Sequence, residues 1–268
     1  MIKRKGSSII LGKERLDKII ASVGSYSRSD AKKLIKTGKV SVGSVTVSSP
    51  EMKCDPAVER IMINGILLQY SQNIFLMMNK PAGVLTATKD GYAKTVLDLL
   101  PAEYRNREVF PVGRLDKDTE GLLLITDDGL LAHRLLSPKY HVEKEYLVRI
   151  EGTLSETDVQ KFQDGIILAD GFQCMAAKLV ILSEQKTDNT DTTDALITIQ
   201  EGKYHQIKRM FGILEKPVIY LKRLRMGPIR LDDSLEPGGF RLLTEEEIGI
   251  LKSAAERKDP ERELSNHE

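Results

Sequence analysis

The sequence predicts an α+β protein in which a small helical module precedes a larger domain built on a β-sheet. Apolar residues recur at helical spacing in the first fifty residues, and several later segments alternate between apolar and polar residues as half-buried strands do. The predicted strands outnumber the helices and do not alternate strictly with them. This order favours an α+β arrangement over a doubly wound parallel sheet.

The composition is typical of a soluble, cytoplasmic protein. The chain has 268 residues, which allows one large domain or two, and 29% of them are charged. It has no apolar stretch of about 18 residues that could cross a membrane, and its basic start has too short an apolar patch for a secretory signal. Cys54 and Cys174 lie far apart without a CxxC motif, which argues against a disulfide framework and against a zinc site.

The net charge of +1 conceals an uneven distribution of charge along the chain. Residues 13–65 carry ten Lys and Arg against six Asp and Glu, a net of +4, and residues 201–230 carry eight against two, a net of +6. The segment 245–268 carries four against eight, a net of −4. Basic blocks in a nearly neutral chain indicate a localised surface for a polyanion, although a solvated helix face would explain either block alone.

The first module is predicted to contain two helices followed by a hairpin. Apolar residues lie at helical spacing in residues 15–23, and Ser27 is a favourable N-cap for a second helix over residues 28–37. Valines in residues 40–42 and 45–47 flank a Gly-Ser pair, as in a short hairpin. The twelve residues at the start are expected to form a weakly ordered extension.

The second of these helices is basic on its outer side. The cations of this stretch are Arg28, Lys32, Lys33, Lys36 and Lys39. With the motifs RLDKIIASVG and YSRSDAKKLIKTGKVSVGSVTV, residues 13–70 resemble the S4 domain, a small module that binds structured RNA. The resemblance implies that Arg28, Lys32, Lys33 and Lys36 contact phosphate oxygens, which position an RNA without reading its sequence.

The larger domain is predicted from apolar runs that end at turn residues or caps. Its predicted strands are residues 73–78, 121–126, 144–150, 174–182, 195–200 and 217–225. Its predicted helices are a short one at 95–100 and longer ones at 155–163, at 204–214 and from Thr244 onward. A further helix, capped by Asp127 or Asp128, is predicted to run to residue 136.

The main candidate catalytic residue lies in the stretch GRLDKDTEGLLLITDDG at residues 113–129. Asp116 lies there in a charged, glycine-containing loop just before a run that is predicted to be buried. A carboxylate becomes an effective base or nucleophile when a nearby cation holds it ionised, and the helix predicted in EGKYHQIKRMF, opened by Gly202, bears His205, Lys208 and Arg209. The simpler alternatives are a turn aspartate that caps backbone amides and a solvated cationic face.

Over residues 13–250 the chain resembles the RsuA/RluB-type family of ribosomal RNA pseudouridine synthases. The matching motifs are GRLDKDTEGLLLITDDG, MNKPAGVLT, EKEYLV, GKYHQIKRMF and LKRLRMGPIRL. The resemblance implies an S4-like domain followed by a catalytic domain with a mixed, largely antiparallel sheet flanked by helices. The predicted boundaries are 1–12 for the extension, 13–70 for the S4-like domain, 73–255 for the catalytic domain and 256–268 for a charged tail.

The resemblance also implies the reaction, in which a uridine within RNA is isomerised so that C5 rather than N1 of the base is bonded to the ribose. Asp116 matches the catalytic aspartate of the family, which either attacks the substrate covalently or removes a sugar proton. The reaction needs no redox change and no energy input, so no cofactor and no metal are expected. The sequence also lacks a P-loop, a GxGxxG motif and a clustered His/Cys set.

Other site residues are carried over from the family in the same way. Tyr146 matches the active-site tyrosine, whose ring would stack on the uracil, and Lys208 matches the basic partner of the aspartate. Many relatives have Arg at that position, so Arg209 is an alternative partner. Leu221 matches an apolar wall of the pocket. The remaining expected contacts to substrate or RNA are Arg114, Lys80 and Gln206.

The expected target is a uridine of small-subunit rRNA, and three alternatives to this function remain open. The motif YHQIK at residues 204–208 is similar to the branch of the family that acts on small-subunit rRNA, but a synthase acting on large-subunit rRNA is the first alternative. The chain is expected to act as a monomer on ribosomal RNA or a pre-ribosomal particle, away from membranes. A non-catalytic RNA-binding assembly factor is a second alternative, and a carboxylate hydrolase that uses Asp116 with Glu120 is a third.

Overall fold

The structure of the protein, a computed structural model, describes residues 13–23, 26–56, 58–68, 73–185 and 191–256. The predicted extension 1–12, nearly all of the predicted tail and the predicted domain boundary near residues 70–73 fall mostly or wholly outside these ranges. The described chain divides into two compact units. The first contains the residues up to 68 together with Leu100–Val109, and the second contains residues 73–99 and 110–256.

The first unit combines short helices with a small sheet. Its helices are α1 (Leu16–Ser22), α2 (Arg28–Lys36) and α3 (Ala102–Arg105). Its strands are β1 (Glu14–Arg15), β2 (Val40–Val42), β3 (Val45–Thr46), β4 (Lys53–Cys54), β5 (Ile61–Ile63) and β6 (Ile66–Leu67). Strands β3, β2, β5 and β6 form an antiparallel sheet in that order, and β1 pairs with β4.

The start of α2 is fixed by the predicted cap. Ser27 Oγ accepts a hydrogen bond from the backbone N–H of Asp30 at 3.1 Å, and the Asp30 carboxylate accepts one from the Ser27 N–H at 3.3 Å. This reciprocal capping box satisfies amides that a helix start leaves unpaired. Ala31 and Ile35 are buried in the core of the unit, whereas the predicted RNA-binding cations of α2 are exposed. The predicted helix is confirmed, and it ends one residue earlier than expected.

The second unit is built on one large sheet. Its strands are β7 (Phe75–Lys80), β8 (Phe110–Pro111), β9 (Glu120–Thr126), β10 (Lys144–Glu151), β11 (Lys178–Gln185), β12 (Thr192–Ile199), β13 (Val218–Met226), β14 (Ile229–Arg230) and β15 (Phe240–Leu242). The order is β11-β12-β10-β13-β9-β7-β15, with β14 paired to β13 and β8 to β9. Among these described strands, β9 and β13 pair in parallel and the other pairs are antiparallel. The predicted mixed, largely antiparallel sheet is therefore confirmed.

Within the described residues, four α-helices accompany this sheet. They are α4 (Gly129–Leu136), α5 (Glu156–Asp164), α6 (Gln206–Ile213) and α7 (Glu245–Glu256). Asp128 caps α4, because its carboxylate accepts a hydrogen bond from the Leu131 N–H at 2.9 Å. Asp127 instead accepts a hydrogen bond from the Ile74 N–H at 2.8 Å. The structure thus decides between the two caps that the sequence left open.

Some predicted boundaries are wrong. Helix α6 begins at Gln206 rather than at 202 or 204, because His205 adopts a left-handed conformation with φ of 48° that cannot continue a right-handed helix. Strand β11 begins at Lys178, four residues after the predicted start at 174. The segment predicted as a helix at 95–100 is a 3₁₀ turn over Val96–Leu99. Strands β8, β14 and β15 were not predicted, since two or three residues give too short a pattern.

Strand β9 lies inside the sheet and connects its two halves. Its residues Leu122–Ile125 are all buried, as the apolar run predicts for a strand covered on both faces. Gly121 allows the parallel pairing with β13. Its φ is +97°, and a Cβ atom there would lie 2.2 Å from the carbonyl oxygen of Arg223. Only a glycine permits this approach, which holds β13 beside the loop that precedes β9.

Candidate active site

The loop that carries Asp116 lies between β8 and β9 and is held by the last residue of β7 and the segment that follows it. The Lys80 ammonium donates hydrogen bonds to the carbonyl oxygens of Pro81, Lys117 and Thr119 at 3.0, 3.2 and 2.8 Å. The Gly83 N–H also donates to the Lys117 carbonyl, at 2.7 Å. These bonds cross-link the two segments just after Asp116 and fix the path of the loop.

The position of Lys80 corrects the expectation that it contacts substrate or RNA. Its side chain is completely buried, so the ammonium is not available to a ligand. Burial lowers its pKa to about 8, although the nearby carboxylates of Asp118, Glu120 and Asp116 oppose that shift. Lys80 is instead a support for the Asp116 loop.

Asp116 is brought to the start of α6, as the sequence predicted. Its Oδ2 atom lies 3.4 Å from Lys208 Nζ, and its Oδ1 atom lies 3.4 Å from His205 Nε2. The Asp116 side chain is 26% exposed, so the carboxylate is accessible but partly shielded from water. Two groups able to carry positive charge thus face one accessible carboxylate.

Lys208 contacts a second carboxylate more closely than the first. Its Nζ atom lies 2.6 and 2.8 Å from the two carboxylate oxygens of Asp118, and this hydrogen bond lowers the pKa of Asp118. Arg209 does not serve as the alternative partner of Asp116, because its guanidinium pairs with Asp170 at 2.5 Å. Asp118 was not predicted from the sequence as a site residue, because an exposed aspartate in a charged loop has no distinctive pattern.

The segment before α6 is fixed by a buried amide. Gln206 Nε2 donates to Glu201 Oε1 at 2.8 Å, and Gln206 Oε1 accepts from the Lys203 N–H at 2.9 Å. Glu201 also accepts a hydrogen bond from the Met175 N–H at 2.9 Å. Gln206 therefore has a largely internal role, holding residues 201–205 in place beside Asp116.

An open pocket joins these groups. The predicted residues that line it are Arg114, Asp116, Tyr146, Gln206, Lys208 and Leu221. Tyr146 on β10 and Leu221 on β13 are both largely buried and line the pocket from the sheet. Glu120 accepts a hydrogen bond from the Tyr220 hydroxyl at 2.9 Å and does not line this pocket, which gives no support to a paired-carboxylate hydrolase.

Other kinds of site are not found within the described ranges. No three His, Cys, Asp or Glu side chains there are grouped so that they could hold a metal ion. Both cysteines are free and buried. None of the helices in the described part of the chain has the length and apolar character needed to span a membrane.

Comparison with known families gives a match that lies mostly in the second unit. The family model of RNA pseudouridylate synthase matches residues 74–212, which is 139 of the 268 residues. The chain belongs to the RNA pseudouridylate synthase family. The S4 domain model matches residues 14–59. The predicted order, an S4 domain followed by a pseudouridine synthase domain, is therefore confirmed.

Relatives in this synthase family cover nearly the whole chain. An uncharacterized RNA pseudouridine synthase of Bacillus subtilis is 45% identical, with 88% of this chain and 98% of the relative covered. The ribosomal small subunit pseudouridine synthase A of Vibrio cholerae is 40% identical, with 88% and 99% covered. The ribosomal large subunit pseudouridine synthase B of Bacillus subtilis is 35% identical, with 91% and 97% covered. A crystal structure of a pseudouridylate synthase aligns with a TM-score of 0.61 at 36% identity, with 89% and 99% covered.

Proposed function

We propose that this chain converts a uridine of small-subunit ribosomal RNA to pseudouridine, with Asp116 as the catalytic carboxylate. The observation that carries the proposal is the position of Asp116, which shares one accessible pocket with Tyr146 and lies 3.4 Å from the Lys208 ammonium. The protein acts as a cytoplasmic monomer on ribosomal RNA or on an assembling particle. The exposed cations of α2 bind RNA phosphates.

The pocket suits a nucleotide that has left the RNA stack. A uridine within a helix cannot reach the carboxylate unless it is extruded, which costs a few kcal/mol. Stacking on an aromatic ring stabilises an extruded base by about 1–3 kcal/mol, and Tyr146 has such a ring. Asp116, by covalent attack or by removal of a sugar proton, then breaks the bond between N1 and the ribose. The uracil turns within the pocket, C5 bonds to the ribose, the C5 proton is lost and N1 gains a proton. The Tyr146 hydroxyl assists the proton transfer at C5.

The choice of small-subunit RNA has two supports. The relative named as a small-subunit synthase is 40% identical to this chain, against 35% for the one named as a large-subunit synthase. The motif YHQIK at residues 204–208 also resembles the branch of the family that acts on small-subunit rRNA.

Mapping pseudouridines in both ribosomal RNAs, with and without this protein, tests the proposal. We expect one pseudouridine of the small-subunit RNA to disappear when the gene is deleted and to return with the wild-type gene but not with the Asp116→Asn variant. Loss of a large-subunit pseudouridine instead would correct the target. Unchanged pseudouridines in both RNAs would favour a non-catalytic assembly factor.

A second prediction concerns the way in which Lys208 is held. An ammonium is a point charge on a flexible stem, and Asp118 holds it in contact with Asp116. We expect Asp118→Asn to lower the single-turnover rate about 2- to 5-fold, the range of an exposed ion pair. In a Lys208→Arg background the planar guanidinium can pair with Asp116 through two hydrogen bonds without help, so the same change should cost less. An equal loss in both backgrounds would show that Asp118 does not position Lys208.

A further inference from the structure

An aromatic stack lies beside the Asp116 pocket and has no part in the mechanism above. The rings of Tyr204 and His205 are stacked, with centroids 3.9 Å apart and planes inclined by 17°. His205 lines the pocket and contacts Asp116, whereas Tyr204 does not line the pocket and is 75% exposed. The exposed Tyr204 ring is thus separated from the Asp116 carboxylate only by the His205 ring.

The backbone holds this stack in place before any ligand binds. His205 has a left-handed conformation at the N-cap of α6, and the buried amide of Gln206 fixes the preceding turn through the Lys203 N–H. A ring that is already stacked on a neighbour loses less conformational entropy than a free side chain when a second ring packs on it. The stack is therefore suited to bind a flat ligand.

The surroundings of the stack point to the kind of ligand. Lys203, which precedes Tyr204 in the chain, is exposed and lines the same pocket, and its ammonium lies over the Phe172 ring, 4.9 Å from the centroid. An exposed aromatic face next to a cation is the combination that binds single-stranded nucleic acid, in which bases stack on the ring and the phosphate meets the cation. One face of Tyr204 is occupied by His205, so the opposite face remains open to a base.

We propose that Tyr204, backed by His205, is a stacking site for a nucleobase next to the target uridine in the RNA. The inference rests on the proposed function, because the ligand is a neighbour of the nucleotide that enters the pocket. Extrusion of the uridine leaves its neighbours without a stacking partner on one side, and Tyr204 replaces that partner. Stacking recognises the flat face of any base, so the site anchors the RNA without reading its sequence.

The test uses full-length protein and a chemically synthesised RNA that reproduces the ribosomal segment around the mapped uridine. We expect Tyr204→Ala to lower kcat/KM about 5- to 150-fold, the range for loss of one base–aromatic stack, and Tyr204→Phe to keep most of the activity. Tyr92→Ala is the matched control, since Tyr92 is fully exposed and does not line the pocket. Circular dichroism checks that each variant is folded.

Abasic substitutions in the RNA separate stacking from a structural role. If Tyr204 stacks on a flanking base, removal of that base should lower kcat/KM of the wild-type enzyme but have little further effect in Tyr204→Ala. An unaffected Tyr204→Ala variant, or losses that simply multiply at every flanking position, would overturn the stacking site while leaving the proposed function intact. A wild-type enzyme that converts no ribosomal RNA would instead overturn both.

Discussion

Asp116→Asn should lower the rate of pseudouridine formation by roughly 1,000-fold or more and leave RNA affinity almost unchanged. A positioned general acid or base contributes about 10²–10⁴-fold, and loss of a covalent nucleophile costs more, about 10⁶-fold in one protease. The amide has nearly the same shape as the carboxylate, so the pocket should stay intact. Because the variant removes chemistry and little contact area, kcat should fall far more than the dissociation constant rises.

The neighbouring carboxylate provides the control for this substitution. Asp118 lies in the same loop, contacts the same lysine and is 73% exposed, so Asp118→Asn changes the local charge by the same amount. Its expected loss is only about 2- to 5-fold. Single-turnover conversion of the synthesised RNA and equilibrium binding of that RNA are the two measurements. Similar rates for the two variants would show that Asp116 acts only through the charge of the loop.

The sequence predicted those parts of the site that lie in recognisable sequence motifs. The loop motif around Asp116 and the cationic segment around Lys208 can each be recognised by residue type and spacing. Their approach to 3.4 Å depends on the strand order of the sheet, which no local pattern contains. The family resemblance supplied that step, and the structure places the residues accordingly.

Two of the residues that the sequence assigned to substrate or RNA have buried polar groups with internal partners. Lys80 is completely buried, and Gln206 lines the pocket but is also largely buried. The Lys80 ammonium donates to three backbone carbonyls, and the Gln206 amide fixes the turn before α6. Whether a polar side chain faces a ligand or its own backbone is decided by the path of the chain, so residue type alone could not distinguish the two.

The geometry at His205 was also beyond sequence analysis. A helical pattern runs through residues 204–214, and nothing in it marks residue 205 as left-handed. That single conformation delays the start of the helix, turns the imidazole towards Asp116 and leaves Tyr204 stacked on its ring. Non-glycine residues with positive φ are uncommon, and they often occur where a site has to be shaped.

Gly121→Ala should destabilise the protein by about 3–5 kcal/mol, the largest effect we expect from a change of one methyl group. The added Cβ would lie 2.2 Å from the Arg223 carbonyl oxygen, and the positive φ adds about 1–2 kcal/mol of strain for an L-residue. The obstructing atom belongs to the backbone of β13, so it cannot move aside as the end of a side chain would. Relief of the clash requires β9 and β13 to separate.

Gly152→Ala isolates the contribution of the backbone angle. Gly152 has a φ of +86°, close to that of Gly121, but a Cβ atom added there would meet no atom within 4 Å, so a loss of about 1–2 kcal/mol is expected. Thermal and urea unfolding of the two variants give the comparison, and equal losses of stability would show that strain in φ outweighs the close approach.

Because β13 carries Leu221 and β9 follows the Asp116 loop, separation of these strands also moves the apolar wall of the pocket away from the carboxylate. Gly121→Ala should therefore lower kcat in the fraction that remains folded, whereas Gly152→Ala should not.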